Sequence, residues 1–229
     1  MNAAMSRGFI LIALLFGACS KFGVELPKPD IVVDDDGIAD FRTIQAAVQS
    51  VPVTNRERIT ILVKDGTYRE KIRVDAPFVT LRGESRKGTR IEFSQLEADF
   101  VVHPDDLGWA VINLNRANDF VLENLTAENT ATILSAHAFA ISGTGDRTAI
   151  VGCDVVSHGA DTVALGVGEP GHFYHARCRF SGSVDIVCPR GWCYAKDCSF
   201  YAHRKTAVVW HAGNFDSKMK FVKIGRAHV

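Results

Sequence analysis

Four short runs in the second half of the chain resemble one another: Phe120-Val-Leu-Glu-Asn-Leu125, Ala149-Ile-Val-Gly-Cys-Asp-Val155, Tyr174-His-Ala-Arg-Cys-Arg-Phe180 and Tyr194-Ala-Lys-Asp-Cys-Ser-Phe200. In the last three, a cysteine stands two places before an apolar residue. The step from Cys153 to Cys178 is 25 residues and the step from Cys178 to Cys198 is 20. A repeat of that size, built from strand-like runs with no helical period between them, indicates a solenoid whose coils are strand, turn and strand. The fold class expected is therefore all-β, a parallel β-helix. Cys153, Cys178 and Cys198 would stack at equivalent places in successive coils, where a small apolar thiol suits the interior.

Earlier segments fit the same architecture. Arg58–Val63, Ile72–Val74, Phe78–Leu81 and Thr89–Phe93 alternate or cluster β-branched and apolar residues, and Asp65-Gly66, Arg82-Gly83 and Lys87-Gly88 mark turns between them. One amphipathic helix stands apart. Phe41, Ile44, Val48 and Val51 recur at helical spacing, Asp40 or Thr43 can cap its start, and Pro52 ends it. It suits a lid over the first open coil. With 47% apolar residues the chain can offset its conformational entropy, and 26 basic against 26 acidic side chains leave no excess charge for a nucleic acid.

Both ends read differently from the repeat. In residues 1–19, Arg7 precedes the apolar run Phe9–Phe16, which is too short to span a bilayer and suits a secretory signal. Gly17-Ala18 before Cys19 resembles a lipoprotein cleavage box with Cys19 as the lipidated residue; an ordinary cleaved signal is the alternative. The expected location is secreted or periplasmic, with the outer membrane reached only through such a lipid. Residues 224–229 match the codons ATC GGA AGA GCA CAC GTC of a common sequencing adaptor and read as an artefact. The domain proper is then 20–223, incomplete at its C-terminus, with 24 basic against 26 acidic residues once Arg7 and Arg226 are set aside. The remaining cysteines show no zinc spacing, and a Cys188–Cys193 disulfide stays open in an oxidising compartment. Asp34-Asp-Asp-Gly37 reads as a turn rather than a calcium loop.

From about Ile31 to Trp210 the ordered segments resemble the pectin methylesterases. The resemblance rests on Asp40-Phe-Arg-Thr-Ile-Gln-Ala-Ala-Val48, on Gly66-Thr-Tyr-Arg-Glu70, and on three later motifs. His137-Ala-Phe-Ala-Ile-Ser142 with Gly145-Asp-Arg147 is similar to the family's Q-A-V-A-L-R and G-D-R. Gly159-Ala-Asp-Thr-Val163 is similar to Y-Q-D-T-L. Gly182-Ser-Val-Asp-Ile-Val187 is similar to G-T-V-D-F-I. The resemblance implies a right-handed β-helix, a polysaccharide substrate such as pectin, no cofactor or metal, and a monomer when full length. It assigns Asp185 as nucleophile and Asp161 as acid/base. His137 stands where the family has an oxyanion glutamine, Ala160 replaces a second one, and Ser142 stands at the family's arginine. The L-G-R-P-W motif, with its catalytic arginine, is not found.

The residues themselves support that chemistry. Asp161 and Asp185 lie 24 residues apart, one coil of the repeat. Equivalent positions in adjacent coils sit about 4.8 Å apart, a separation at which two carboxylates push their pKa values in opposite directions. One can then attack an ester carbonyl while the other protonates the leaving methanol. His137 can donate to the oxyanion, Arg190 can hold a substrate carboxylate, and Trp192 can stack on a sugar ring. A non-catalytic carbohydrate-binding β-helix is the alternative, because Ala160 cannot donate. Residues 20–223 alone are expected to be inactive or poorly folded, with an open last coil.

Overall fold

The computed structural model describes residues 28–211 and 218–225. Among these residues nineteen strands form three parallel sheets, and from Ile59 to Pro189 each coil gives one strand to each sheet in turn. Sheet A contains Ile31–Val33, Ile59–Val63, Val79–Gly83, Val121–Glu123, Thr148–Val151, Gly171–Ala176, Gly191–Lys196 and Phe221–Ile224. Sheet B contains Gly66–Tyr68, Thr89–Phe93, Thr126–Asn129, Asp154–Ser157, Arg179–Gly182 and Ser199–Ala202. Sheet C contains Ile72–Val74, Ile112–Leu114, Ile141–Gly143, Val163–Leu165 and Val187–Pro189. The result is a right-handed parallel β-helix, the hand that right-twisted strands favour in parallel crossovers.

Register carries the core. In sheet A, Ile61, Leu81, Leu122, Ile150, His175 and Ala195 pair in line and are all buried. In sheet B, Ile91, Ala127, Val155, Phe180 and Phe200 do the same, and the last two rings stack 5.6 Å apart. The residues just before sheet B begins are Leu125, Cys153, Cys178 and Cys198, so the three cysteines form the expected interior ladder. Cys178 Sγ lies 3.2 Å from the carbonyl oxygens of both Ile150 and Ala176, either of which can accept its hydrogen. In four successive coils a left-handed residue turns the chain from sheet A to sheet B: Asn124, Gly152, Arg177 and Asp197, with φ of 56, 65, 53 and 54°.

The entry helix α1 runs Ile44–Gln49. Thr43, not Asp40, caps it, its hydroxyl accepting from the Ala46 amide at 3.3 Å. Glu70 adds a distant cap, accepting from the Ile44 and Gln45 amides at 2.9 Å each. Ile44, Ala47 and Val48 face the core beside the first coil, as a lid requires. A second short helix, α2 at Glu97–Val102, buries none of its residues, so no apolar period marked it in the sequence.

Cys188 and Cys193 are free thiols, as are Cys153, Cys178 and Cys198. The open disulfide is not formed because the strands aim the two apart. Cys188 is the middle residue of its strand in sheet C and packs outside the helix interior with Ala110, Phe139 and Ala164. Cys193 points into the main core. Cys19 lies outside the described residues. Ile224, assigned to the artefact, pairs with Lys196 at the end of sheet A, a backbone contact open to any residue but proline.

His175 is the exception in the sheet A ladder. It is fully buried in an otherwise aliphatic row, and neither ring nitrogen has a partner. Burial pushes its pKa down to about 4. The unfolded chain therefore takes up a proton near pH 6.5 that the folded protein refuses until about 4. Stability is intact above pH 6.5 and falls by roughly 3 kcal/mol between those limits. His175→Leu is expected to raise the denaturation midpoint and flatten its pH dependence over that window; an unchanged slope would count against this placement.

Candidate active site

In each coil the chain leaves sheet B and turns sharply into sheet C. Asp161 and Asp185 occupy that corner in successive coils, both left-handed with φ of 58 and 50°. Aspartate tolerates this region better than most residues, and the same backbone recurs at other corners, as at Asn124 and Asp197. Ala160 bridges Val184 on one side of the pair, and Val163 pairs with Val187 on the other. The two aspartates are thus equivalent residues of neighbouring coils, as their spacing predicts. The Asp161 amide donates to the Val184 carbonyl at 3.1 Å.

Both carboxylates are half-buried. Burial raises the Asp161 pKa; the His137 charge and a Cys188 hydrogen bond oppose it, Asp185 adds to it, and Arg190 opposes it. The net direction for Asp161 is upward, toward holding a proton more readily than an ordinary aspartate. Cys188 Sγ lies 3.4 Å from Asp161 Oδ1 and 3.1 Å from the Asp185 carbonyl oxygen.

His137 bridges Ala160 one coil earlier, so the structure does bring it to the pair. Its Nδ1 sits 2.7 Å from Glu97 Oε2, at the first turn of α2. That bond raises the imidazole pKa; burial opposes it, and Asp161, Glu97 and Asp185 add to it. With Nδ1 engaged, Nε2 is the donor left for a ligand. Ala160 offers no polar side-chain atom, and its amide is spent on the Ala136 carbonyl at 2.8 Å. Arg190 is within electrostatic reach of Asp161 and donates to the Cys188 carbonyl at 3.5 Å.

Trp192 is not part of this cluster. Gly191, at φ 141°, turns the chain from sheet C into sheet A, where an added Cβ would meet the Gly171 carbonyl oxygen at 2.0 Å. Trp192 then pairs with His172 and lies 44% exposed on the outside of sheet A. The face change between Pro189 and Trp192 removes it from the aspartates.

The outer face of sheet C carries a groove instead. Asn113, Ser142, Ala164 and Cys188 line up across it in register. A cavity of about 350 Å³ lies over Asn113 and Ser142, walled by Arg73, Phe100, Trp109 and Val167. Trp109 Nε1 donates to Ser142 Oγ at 2.9 Å, and Phe100 meets the Trp109 ring edge-on. Phe139 joins Trp109 to His137, with ring centroids 6.3 and 5.9 Å away. Between this cavity and the aspartates lies the small apolar cluster containing Ala164 and Cys188. An aromatic wall beside a carboxylate pair suits a sugar ring carrying an ester.

Sequence reasoning missed Glu97, Cys188 and Trp109. Glu97 lies in a helix with no apolar stripe, and Trp109 lies in a loop. Strand alternation after Asp185 marks Cys188 as facing the same side as Ser142 only once sheet register is known. Among the described residues, Asp34, Asp35 and Asp36 are the one group close enough to share a metal ion. Asp34 Oδ1 already accepts from the Gly37 amide at 3.1 Å, which is the expected turn.

Glu97→Gln tests the electrostatics. Removing the carboxylate is expected to lower the His137 titration midpoint toward its ordinary value near 6.5, read by NMR of the imidazole protons. An unmoved midpoint would remove Glu97 from the site.

Comparison with known proteins points in one direction. A family model described as pectinesterase matches residues 30–211. Putative pectinesterase 11 of Arabidopsis thaliana is 32% identical over 162 residues, covering 69% of this chain and 42% of its own length. A pectinesterase of Petunia integrifolia is 31% identical over 173 residues, covering 75% and 44%. This chain thus spans less than half the length of these relatives. Among solved structures, a pectin methylesterase in complex with hexasaccharide VII superimposes with TM-score 0.66 at 25% identity, over 77% of this chain and 56% of that one. Carrot pectin methylesterase gives TM-score 0.73 at 22% identity, over 89% and 63%, and shows the same fold.

Proposed function

From the premise that the chain belongs to the pectinesterase family, whose model matches well over half of it, we propose that the full-length protein hydrolyses methyl esters of pectin or a related uronan. One observation carries the proposal: Asp161 and Asp185 stand in register one coil apart, where burial raises the pKa of Asp161.

Asp185 attacks the ester carbonyl carbon, and the oxyanion that develops meets the His137 Nε2 proton. The bond to the methoxy oxygen breaks as Asp161 delivers its proton, releasing methanol and leaving an acyl-enzyme on Asp185. Asp161, now ionised, takes a proton from water. The hydroxide attacks the acyl carbon, and Asp185 leaves as a carboxylate. The His137 imidazole, held by Glu97, compensates in part for the donor that Ala160 lacks; losing one oxyanion donor costs about 100- to 1,000-fold. Arg190 is suited to a neighbouring free uronate. Export and a lipid at Cys19 belong to the same proposal, as does a monomeric state.

The second reading, a β-helix that binds such chains without cleaving them, is favoured by Ala160 alone. Methanol release from methyl-esterified pectin by the full-length protein distinguishes them. Asp185→Asn and Asp161→Asn are each expected to reduce it about 1,000-fold or more while retaining pectin affinity. Binding with no methanol release from the unsubstituted protein would favour the binder, and an unsaturated product would make it a lyase.

A further inference from the structure

Cys188 is the one thiol among the described residues that bonds to a side-chain carboxylate; Cys153, Cys178 and Cys198 donate to backbone carbonyls. It is 1% exposed, between two acceptors: Asp161 Oδ1 at 3.4 Å and the Asp185 carbonyl oxygen at 3.1 Å. A thiol has a single hydrogen and cannot serve both at once. Burial, with Asp161 and Asp185 nearby, pushes this thiol well above its ordinary range, so it remains S–H wherever the protein is folded. Which acceptor it uses then depends on the acceptors themselves. An ionised carboxylate outcompetes a backbone carbonyl, because charge-assisted bonds are roughly twice as strong. A protonated carboxyl loses that advantage, and the shorter contact to the Asp185 carbonyl wins.

We infer that Cys188 is a positioning residue that follows the protonation state of Asp161. It donates to Oδ1 when Asp161 is ionised and to the Asp185 carbonyl when Asp161 is protonated. The switch rests on geometry; its meaning for catalysis rests on the acid/base role proposed for Asp161. In the base form the S–H steadies a half-buried carboxylate. In the acid form it withdraws, leaving the carboxyl to face a leaving group. The groups around Asp161 are few: His137 from the turn before sheet C, Asp185 and Arg190 from either end of the Val187–Pro189 strand, and Cys188 within it. Glu97 reaches Asp161 only through His137.

The S–H stretching band is a direct probe, since few other groups absorb there. In the full-length protein the Cys188 band is assigned by difference against Cys188→Ser and followed with pH. It is expected to shift with the same midpoint as the Asp161 carboxyl, read by carbon NMR, and to lose the shift in Asp161→Asn. Cys188→Ala is expected to move the Asp161 midpoint upward, and Cys188→Ser to restore it. A band indifferent to pH, or one that still shifts in Asp161→Asn, would overturn the inference. Equal Asp161 midpoints in the Ala variant and the unsubstituted protein would also overturn it. An intact band shift with no methanol release would sink the esterase reading and leave the thiol switch standing.

Discussion

Parallel backbone hydrogen bonding in strict register is the constraint on which everything else in the molecule depends. Each coil lays its strands on those of the coil before, so residues one repeat apart become neighbours about 4.8 Å away. The same rule builds the aliphatic row Ile61, Leu81, Leu122 and Ile150, the thiol ladder from Cys153 to Cys198, and the pair Asp161 and Asp185. Core and candidate site are thus products of one periodicity. A one-residue slip in sheet C would separate the aspartates and turn its inward residues outward.

Periodicity also explains what could be read from the chain alone. The cysteines were legible because interior rows repeat small apolar residues at coil length. The aspartate pair was legible because 24 residues matches one coil. What the sequence hid is whatever depends on which way a side chain faces at a corner. Spacing leaves a Cys188–Cys193 disulfide open, yet one sits outside sheet C and the other inside sheet A. Trp192 looks close to Asp185, yet the turn at Gly191 carries it onto another face. Helix α2 has no buried stripe, and Glu97 acts through a single contact that no pattern announces.

The site shares its backbone strain with other corners of the coil and adds an electrostatic cost of its own. Asp161 and Asp185 hold left-handed backbone, and Asp161 is partly desolvated beside a like charge. Positive charge from His137 and Arg190 and the single hydrogen of Cys188 offset that cost. His175 shows the contrasting case of a buried ring whose nitrogens have no hydrogen-bond partner, placed in the interior where burial holds it neutral down to about pH 4. The difference separates a corner built to hold ionisable groups from a core position that tolerates one.

The central claim is that adjacent-coil register couples the two aspartates. The most direct measurement is the Asp161 carboxyl titration by carbon NMR in the full-length protein, with and without Asp185→Asn. Removing the neighbouring charge is predicted to lower the Asp161 midpoint, because Asp185 raises it. A midpoint that does not move would mean the carboxylates do not sense each other, and the catalytic pair would have to be abandoned.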